Sequence, residues 1–364
     1  MKIQEIISYL EQIVPLAYQE SYDNCGLIVG DKHTDFNGAL IALDCTEVVI
    51  DEAIDMRCNL IITHHPIIFT GIKKLNGGDH IERTIIKAIK NNIAIYCMHT
   101  NLDNFKEGVN AKIAERLDLK NTSILSPKKD ILRHLVFYCP TKHTEKVRDA
   151  LFELGAGNIG SYDQCSFSLS GKGTFRALEE SSPFVGKIGT MHIENENRVE
   201  VTFPAYLENA IVKKLQEVHP YEQIAYQIYL LDNINQEVGA GLIGELKEGQ
   251  VPDQFLNKLK KLMQTDCIRY TRIVRDSIKK VAVCGGSGSF LLESAKNAGA
   301  DIFITADFKY HDFFMAEEDI IIADIGHYES EQFTKDLIYD LLMKKNAKFA
   351  VQLSKVNTNP IKYL

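Results

Sequence analysis

The chain has 364 residues, of which 45% are hydrophobic and 25% are charged, as is typical of a globular protein with two or three domains. Its 41 Lys and Arg side chains are outnumbered by 49 Asp and Glu, which gives a formal net charge of −8. This balance argues against a large nucleic-acid or anionic-membrane surface, and no apolar run approaches the roughly 20 residues of a membrane span.

The N-terminal segment predicts an amphipathic helix that packs on a core. Its apolar residues recur at helical spacing: Ile3, Ile6, Ile7, Leu10, Ile13 and Val14. The pattern of a secretion signal is missing. The eight cysteines are scattered and form no CxxC pair, so we expect reduced thiols in a cytoplasmic protein without disulfides.

The segment 38–103 alternates between short apolar strands and helices. The predicted elements are the strand GALIALD (38–44), the helix TEVVIDEAIDMR (46–57), the strand CNLIITHHP (58–66), the helix HIERTIIKAIKNN (80–92) and the strand IAIYCMHTNLD (93–103). Strands joined by helices form right-handed βαβ units and therefore a parallel sheet. Either Thr46 or Asp44 can cap the first of these helices.

The middle of the chain follows a different order. Strand LRHLVFYCP (132–140) and helix TEKVRDALFELGA (144–156) are followed by two strands, a helix and a final strand. This βαββαβ order predicts a ferredoxin-like α+β insert. Polar segments around Pro127 and after Leu231 are plausible boundaries, so we expect domains at 1–126, 127–232 and 233–364.

The last part of the chain repeats the strand–helix order of the first. Strands KKVAVCGG, ADIFITADF and EDIIIADIGHYESE lie in 279–331. Four pairs of residues then correspond: Thr63 with Thr305, His65 with Asp307, His99 with His327, and Asp103 with Glu331. We interpret this as two related α/β halves; the alternative is that all βαβ units share such a pattern.

Histidines and carboxylates follow the strands of both halves. In open α/β sheets, sites form outside the carboxyl ends of the strands, where the sequence places His64, His65, His99, Asp103, Asp307, His311, His327 and Glu331. Imidazoles with carboxylates suit Zn²⁺, Fe²⁺ or Mn²⁺. There are more donors than one ion needs, so a bridging carboxylate could hold two ions about 3.5–4 Å apart.

Each of these signals has a simpler explanation when it is taken alone. A single His is more often a surface residue than a ligand, and His-x3-Asp or His-x3-Glu commonly supports the start of a helix. Their joint placement in two halves is what favours a metal site. The CGGSGS segment (284–289) lacks the phosphate-binding motifs, and a tight turn explains it better than a phosphate cradle.

Three stretches resemble the signatures of a known family. ITHHPIIF, HTNLD and GHYESE are similar to those of the GTP cyclohydrolase I type 2 homolog family, also called the Nif-three-like dinuclear-metal hexamer family. SYDNCGLIVG and ITADFKYHD also resemble its pattern, although alanine replaces an expected glycine at Ala306. The insert, with GKGTF and HPYEQIAYQIY, resembles the PII- and CutA-like middle domain of the longer bacterial members, so the resemblance covers nearly the whole chain.

The resemblance implies a ligand set and an assembly. The metal ligands would be His64, His65, Asp103, His327 and Glu331, with Asp103 and Glu331 helping to tie two divalent ions together. The ions would be zinc foremost, with iron or manganese as alternatives. His99 and His311 would support the ligands or transfer protons. Members of the family form toroidal homohexamers whose metal sites face an internal cavity.

Two classes of function remain open. The first is a dinuclear-metal hydrolase acting on a nucleotide, phosphoester or cyclic amide-like substrate. The second is a metal-dependent hexameric assembly or regulatory protein without catalysis. A ring that binds nucleic acid is disfavoured by the net charge of −8. No motif reads a guanine, so the cyclohydrolase label itself finds no support in the residues.

Overall fold

The computed structural model describes residues 1–345 and 349–364. They form two compact units: Met1–Pro127 with Glu237–Leu364, and Lys128–Gln236. The second unit thus starts one residue and ends four residues later than the expected insert. Among the described residues, no helix combines the length and apolarity needed to cross a membrane.

The first unit is built from two segments of the chain. The segment before the insertion contains α1 (Ile3–Ile13), β1 (Gly26–Val29), β2 (Ala39–Ala42), α2 (Glu47–Asp55), β3 (Leu60–Thr63), α3 (His80–Lys90), β4 (Ala94–Cys97), α4 (Thr100–Asp103), α5 (Val109–Arg116) and β5 (Lys120–Pro127). The inserted unit contains β6 (Leu132–Pro140), α6 (Thr144–Phe152), β7 (Phe167–Arg176), β8 (Met191–Pro204), α7 (Glu208–Val218) and β9 (Tyr226–Leu231). The remaining segment of the first unit contains β10 (Gly239–Gln250), α8 (Pro252–Leu262), β11 (Arg269–Tyr270), β12 (Ile278–Ser287), α9 (Leu292–Asn297), β13 (Ile302–Ala306), β14 (Ile321–Asp324), α10 (His327–Glu331), α11 (Thr334–Lys345) and β15 (Val351–Leu353).

The first unit has two sheets, each built mainly from one half of the unit, and each half also contributes one strand to the other sheet: β15 to the first and β5 to the second. The first sheet has the order β1-β4-β3-β2-β15, in which β15, β2, β3 and β4 are parallel and β1 is antiparallel to β4. The second has the order β11-β14-β13-β12-β10-β5, with β12, β13 and β14 parallel. The first sheet therefore contains four adjacent parallel strands and the second contains three, which confirms the predicted α/β class.

The sheets of the first unit are buried on both faces. One continuous cluster of buried side chains joins a face of each sheet with α1, α5, α8 and α11. On the opposite faces, α2 and α3 cover the first sheet and α9 covers the second. This explains why β2, β3, β4 and β14 are buried at every residue, as is usual for strands of parallel sheets.

The second unit has a single antiparallel sheet. Its order β7-β8-β6-β9, together with the chain order βαββαβ, is ferredoxin-like, as predicted. One face packs against α6 and α7 around a core that includes Leu135, Phe137, Val199 and Leu215.

Candidate metal centre

Loops and short helices at the ends of parallel strands bring five predicted residues together. His64 and His65 follow β3 directly, and Asp103 is the last residue of α4, which begins three residues after β4. His327 and Glu331 are the first and last residues of α10, which follows β14. Because parallel strands end at one edge of a sheet, these side chains reach a common region.

The first of two donor sets, the His64 group, comprises His64, Asp103 and Glu331. The Nε2 atom of His64 lies 3.5 Å from Oδ1 of Asp103 and 3.6 Å from Oε1 of Glu331. The side chain of His64 is fully buried and that of Glu331 is 3% exposed. Among the described residues, neither Nε2 of His64 nor Oδ1 of Asp103 has a hydrogen-bond partner.

These unpaired atoms fit a metal ion. Two donors that each lie about 2.0–2.1 Å from a tetrahedral zinc ion are roughly 3.3–3.4 Å apart, close to the observed separations. A buried polar atom without a partner is costly, and a shared cation would satisfy both His64 and Asp103. The donor set therefore fits a divalent cation.

The second donor set, the His65 group, comprises His65, His327 and Glu331. Oε2 of Glu331 lies 2.9 Å from Nε2 of His65 and 3.1 Å from Nε2 of His327. The two Nε2 atoms are 3.2 Å apart. Glu331 thus belongs to both groups, with Oε1 facing one and Oε2 facing the other.

The glycines of the CGGSGS segment make room for Glu331. Gly285 and Gly286 lie in β12, and a Cβ atom on Gly286 would collide with Oε1 of Glu331. Gly286 also has φ of 60°, which favours glycine. The segment therefore allows close approach of a carboxylate.

Each imidazole of the two groups is oriented through its other nitrogen. Nδ1 of His64 donates to the carbonyl oxygen of Met98 at 2.8 Å. Nδ1 of His65 lies 2.7 Å from Oδ1 of Asp44, and Nδ1 of His327 lies 2.7 Å from Oδ2 of Asp307. Since these partners are acceptors, Nδ1 carries a proton and Nε2 is turned toward the donor group, which is the usual orientation of metal-binding histidines.

The charges of the centre depend strongly on one another. Burial lowers the pKa of His65, but its hydrogen bonds to Asp44 and Glu331 outweigh burial and raise the pKa to about 10. The same holds for His327: burial lowers its pKa, but the hydrogen bonds to Asp307 and Glu331 outweigh burial and raise the pKa to about 11.

The two acids of the His64 group are shifted in opposite directions. Burial, followed by the charge of Glu331, raises the pKa of Asp103 to about 8. Burial also acts to raise the pKa of Glu331, but His64 and His327 hold it well below its usual range. Burial and the negative charge of Glu331 thus disfavour the ionised form of Asp103.

His99 lies beside the two groups. Its ring centroid is 5.3 Å from that of His64 and 5.5 Å from that of His65, and the three imidazoles form a further group of potential ligands. Nδ1 of His99 lies 2.8 Å from Oδ1 of Asp23. Burial opposes ionisation of Asp23, but hydrogen bonds from His99 and Thr100 hold its pKa well below the usual range.

His311 is placed differently. It is exposed, in a 3₁₀ segment (Tyr310–Ala316), and its ring contacts those of Tyr310 and Phe314. It belongs to none of the donor groups found among the described residues. A proton-transfer role for His311 stays a prediction.

Two carboxylates that support the imidazoles, Asp44 and Asp23, have no predicted role at the metal centre, whereas Asp307 is predicted as a donor and instead supports His327. The sequence offers Asp44 and Thr46 as caps for α2. In the structure Thr46 is the cap and accepts from the amide of Val49, whereas Asp44 contacts His65. Asp44 follows β2 by two residues, so the strand-end rule could have found it. Asp23 precedes β1, whose antiparallel pairing with β4 places it beside His99, and no local pattern signals this.

The thiols agree with the expectation from sequence. All eight cysteines are free, and Cys45, Cys58, Cys97, Cys139 and Cys284 are buried. Burial raises the pKa of Cys45 to about 12, which keeps this thiol protonated and unreactive.

Comparison with known proteins agrees with this fold. The family model described as Duf34/NIF3 (NGG1p interacting factor 3) matches residues 1–360, and the chain belongs to this family. A relative from Bacillus subtilis (strain 168), named GTP cyclohydrolase 1 type 2 homolog, is 37% identical over 369 residues, covering 99% of this chain and 98% of the relative.

Solved structures agree over the full length. The chain matches a Bacillus cereus protein related to NIF3 with a TM-score of 0.86 and 36% identity, covering 100% of this chain and 99% of the other. Staphylococcus aureus protein SA1388 matches with a TM-score of 0.80 and 30% identity, again covering 100% of this chain and 99% of the other. The predicted family resemblance is therefore confirmed.

Proposed function

We propose that the protein binds two divalent cations per chain, zinc foremost and iron or manganese as alternatives. The observation that carries this is that the two carboxylate oxygens of Glu331 face different groups: Oε1 faces the His64 group and Oε2 faces the His65 group. A carboxylate placed in this way can bridge two ions. His64 and Asp103 would complete one site, and His65 and His327 the other.

We infer that this centre serves hydrolysis. Divalent ions, when bound, would polarise an attacked oxygen and acidify water. The chain would orient the donors through Met98, Asp44 and Asp307. His99, held by ionised Asp23, would accept or return a proton at Nε2.

Partial exposure of the centre supports a catalytic role. The side chain of His327 is 37% exposed and those of His65 and Asp103 are 21% and 24% exposed. A small molecule can therefore approach the His65 group from solvent, whereas a purely structural zinc site is usually closed by its protein ligands.

A substrate screen tests the hydrolase proposal. Metal-loaded protein is assayed against nucleotides, phosphomonoesters, phosphodiesters and cyclic amides, with His64→Ala as the disabled variant and the exposed His33→Gln as the matched control. We expect turnover of one substrate class that His64→Ala loses and His33→Gln keeps. Turnover unaffected by His64→Ala would separate the chemistry from this centre. Tight metal uptake without turnover in any class would instead favour the alternative, a metal-dependent assembly or regulatory protein.

We also propose a homohexamer, on the strength of the family resemblance. Native mass spectrometry of the metal-loaded and metal-stripped chain measures the assembly directly, and a stable monomer or dimer in both states would contradict this proposal. The net charge of −8 supports small-molecule partners over nucleic acid.

A further inference from the structure

The inserted unit contains a large cavity that the metal chemistry does not use. Its volume is about 990 Å³, in the range of sites for small molecules. The end of β7, the loop 177–184 and the segment 221–225 line it. The amide of Ser182 donates to Oε1 of Glu222 at 3.1 Å, so the loop is tied to the opposite wall.

Aromatic rings form much of the wall. The rings of Phe175 and Phe184 lie 6.2 Å and 6.3 Å from that of Tyr221, all tilted rather than stacked face to face. Tyr221 is itself positioned by His219, whose Nδ1 accepts from the amide of Tyr221 at 3.1 Å. Three tilted rings around the cavity can therefore present their π-faces to a bound ligand.

One carboxylate is built into this aromatic wall. Oε1 of Glu196 accepts a hydrogen bond of 2.8 Å from the hydroxyl of Tyr221. Its Oε2 lies above Gly173, where any Cβ atom would collide with it. Burial and Glu196 raise the pKa of Tyr221, so the phenol stays protonated and keeps donating to the carboxylate.

The charge of the cavity is unbalanced. Glu196 forms no ion pair with any described residue, and the other charged lining residues are Arg176, Glu179, Glu180 and Glu222. Carboxylates thus outnumber the single guanidinium. A half-buried carboxylate next to aromatic faces is the arrangement that binds an ammonium group, because the negative face of each ring and the carboxylate attract the same charge.

We propose that this cavity is a binding site for an organic cation: an ammonium group, primary or quaternary, joined to an apolar or aromatic body. Glu196 neutralises the charge, Phe175, Phe184 and Tyr221 surround it, and the volume accommodates the body. The site lies within the inserted unit and does not depend on the proposed hydrolysis.

The test compares ligands of one shape and different charge on the full-length protein. Tryptamine, the neutral tryptophol and the anionic indole-3-acetate are titrated by calorimetry, together with benzyltrimethylammonium. The quaternary probe cannot coordinate a metal, so its binding reports the cavity alone. We expect both cations to bind, each with the same affinity in the presence and absence of metal. Tryptophol should bind at least about tenfold more weakly than tryptamine, and indole-3-acetate more weakly still.

Variants locate the binding site. Glu196→Gln keeps the acceptor for Tyr221 but removes the charge, and should weaken both cations about tenfold while leaving tryptophol unchanged. Glu217→Gln, an exposed acid on α7, is the matched control and should change nothing. A melting curve for each variant checks that the fold is retained.

Three results would overturn the proposal. The first is failure of both cations to bind the wild-type protein. The second is that tryptophol or indole-3-acetate binds the wild-type protein as tightly as tryptamine does; this comparison requires no variant. The third is cation binding that Glu196→Gln leaves intact.

Discussion

The first α/β half places His65 after β3, whereas the second half places Asp307 at the corresponding position after β13. His65 contributes an imidazole to the donor groups. Asp307 instead accepts a hydrogen bond from Nδ1 of His327 and orients that imidazole. Corresponding strand ends therefore supply a donor in one half and the support of a donor in the other.

One imidazole of each half, His64 and His327, also differs in how firmly it is held. His64 is completely buried and bonded to a backbone carbonyl, whereas the side chain of His327 is 37% exposed and bonded to a half-exposed carboxylate. This contrast indicates a rigid His64 group and a more accessible His65 group. Only Glu331, from the second half, belongs to both.

The largest expected effect comes from removing the shared residue. Glu331→Gln takes a carboxylate from both groups at once, so metal affinity should fall more than ~100-fold at both, beyond the loss typical for a supporting residue. Glu329→Gln, on the same helix, keeps its bond to Asn359 and is the control. Chelator competition measures both variants; normal uptake by Glu331→Gln would remove the proposed bridge.

A smaller effect should separate the two groups. His64→Gln should lose one ion and His327→Gln the other, while His33→Gln loses neither, because His64 and His327 belong to different groups. Mass spectrometry measures the number of metal ions bound per chain in each variant. The double variant should lose both ions. Loss of both ions in either single variant would show that the groups are not independent.

Substitution of a supporting carboxylate should lower the metal affinity without changing the number of ions that bind at saturation. Asp44→Asn and Asp307→Asn should each weaken the same site, that of His65 and His327, ~10–100-fold. Asp44→Asn should have the greater effect, because its side chain is 33% exposed against 48% for Asp307. Chelator titration measures the affinity, and uptake at saturating metal measures the number of ions. Equal or reversed effects would contradict the expectation that the more buried carboxylate matters more.

The smallest effect should come from the residue that holds Asp44. The hydroxyl of Thr358 donates to Oδ2 of Asp44, so Thr358→Val should weaken metal binding about fivefold, the equivalent of ~1 kcal/mol. The same titration measures it. A loss as large as that of Asp44→Asn would mean that Thr358 does more than orient this carboxylate.

Much of the fold and the proximity of the five donors could be predicted, because both follow from periodic signals. Apolar strands such as Leu60–Thr63, each followed within a few positions by a histidine or a carboxylate, place donors at the carboxyl ends of parallel strands. Two of the supporting contacts could not be predicted in this way. His99 meets Asp23 through antiparallel pairing of β1 with β4, and Thr358 reaches Asp44 across more than 300 residues.

The proposed function depends on the claim that the carboxylate of Glu331 contributes one oxygen to each of two metal sites. Crystals of the zinc-loaded protein, measured at the zinc absorption edge, test it directly through an anomalous difference map. We expect two peaks, one bounded by His64, Asp103 and Oε1 of Glu331, and the other by His65, His327 and Oε2 of Glu331. A single peak, or peaks away from Glu331, would contradict the dinuclear centre.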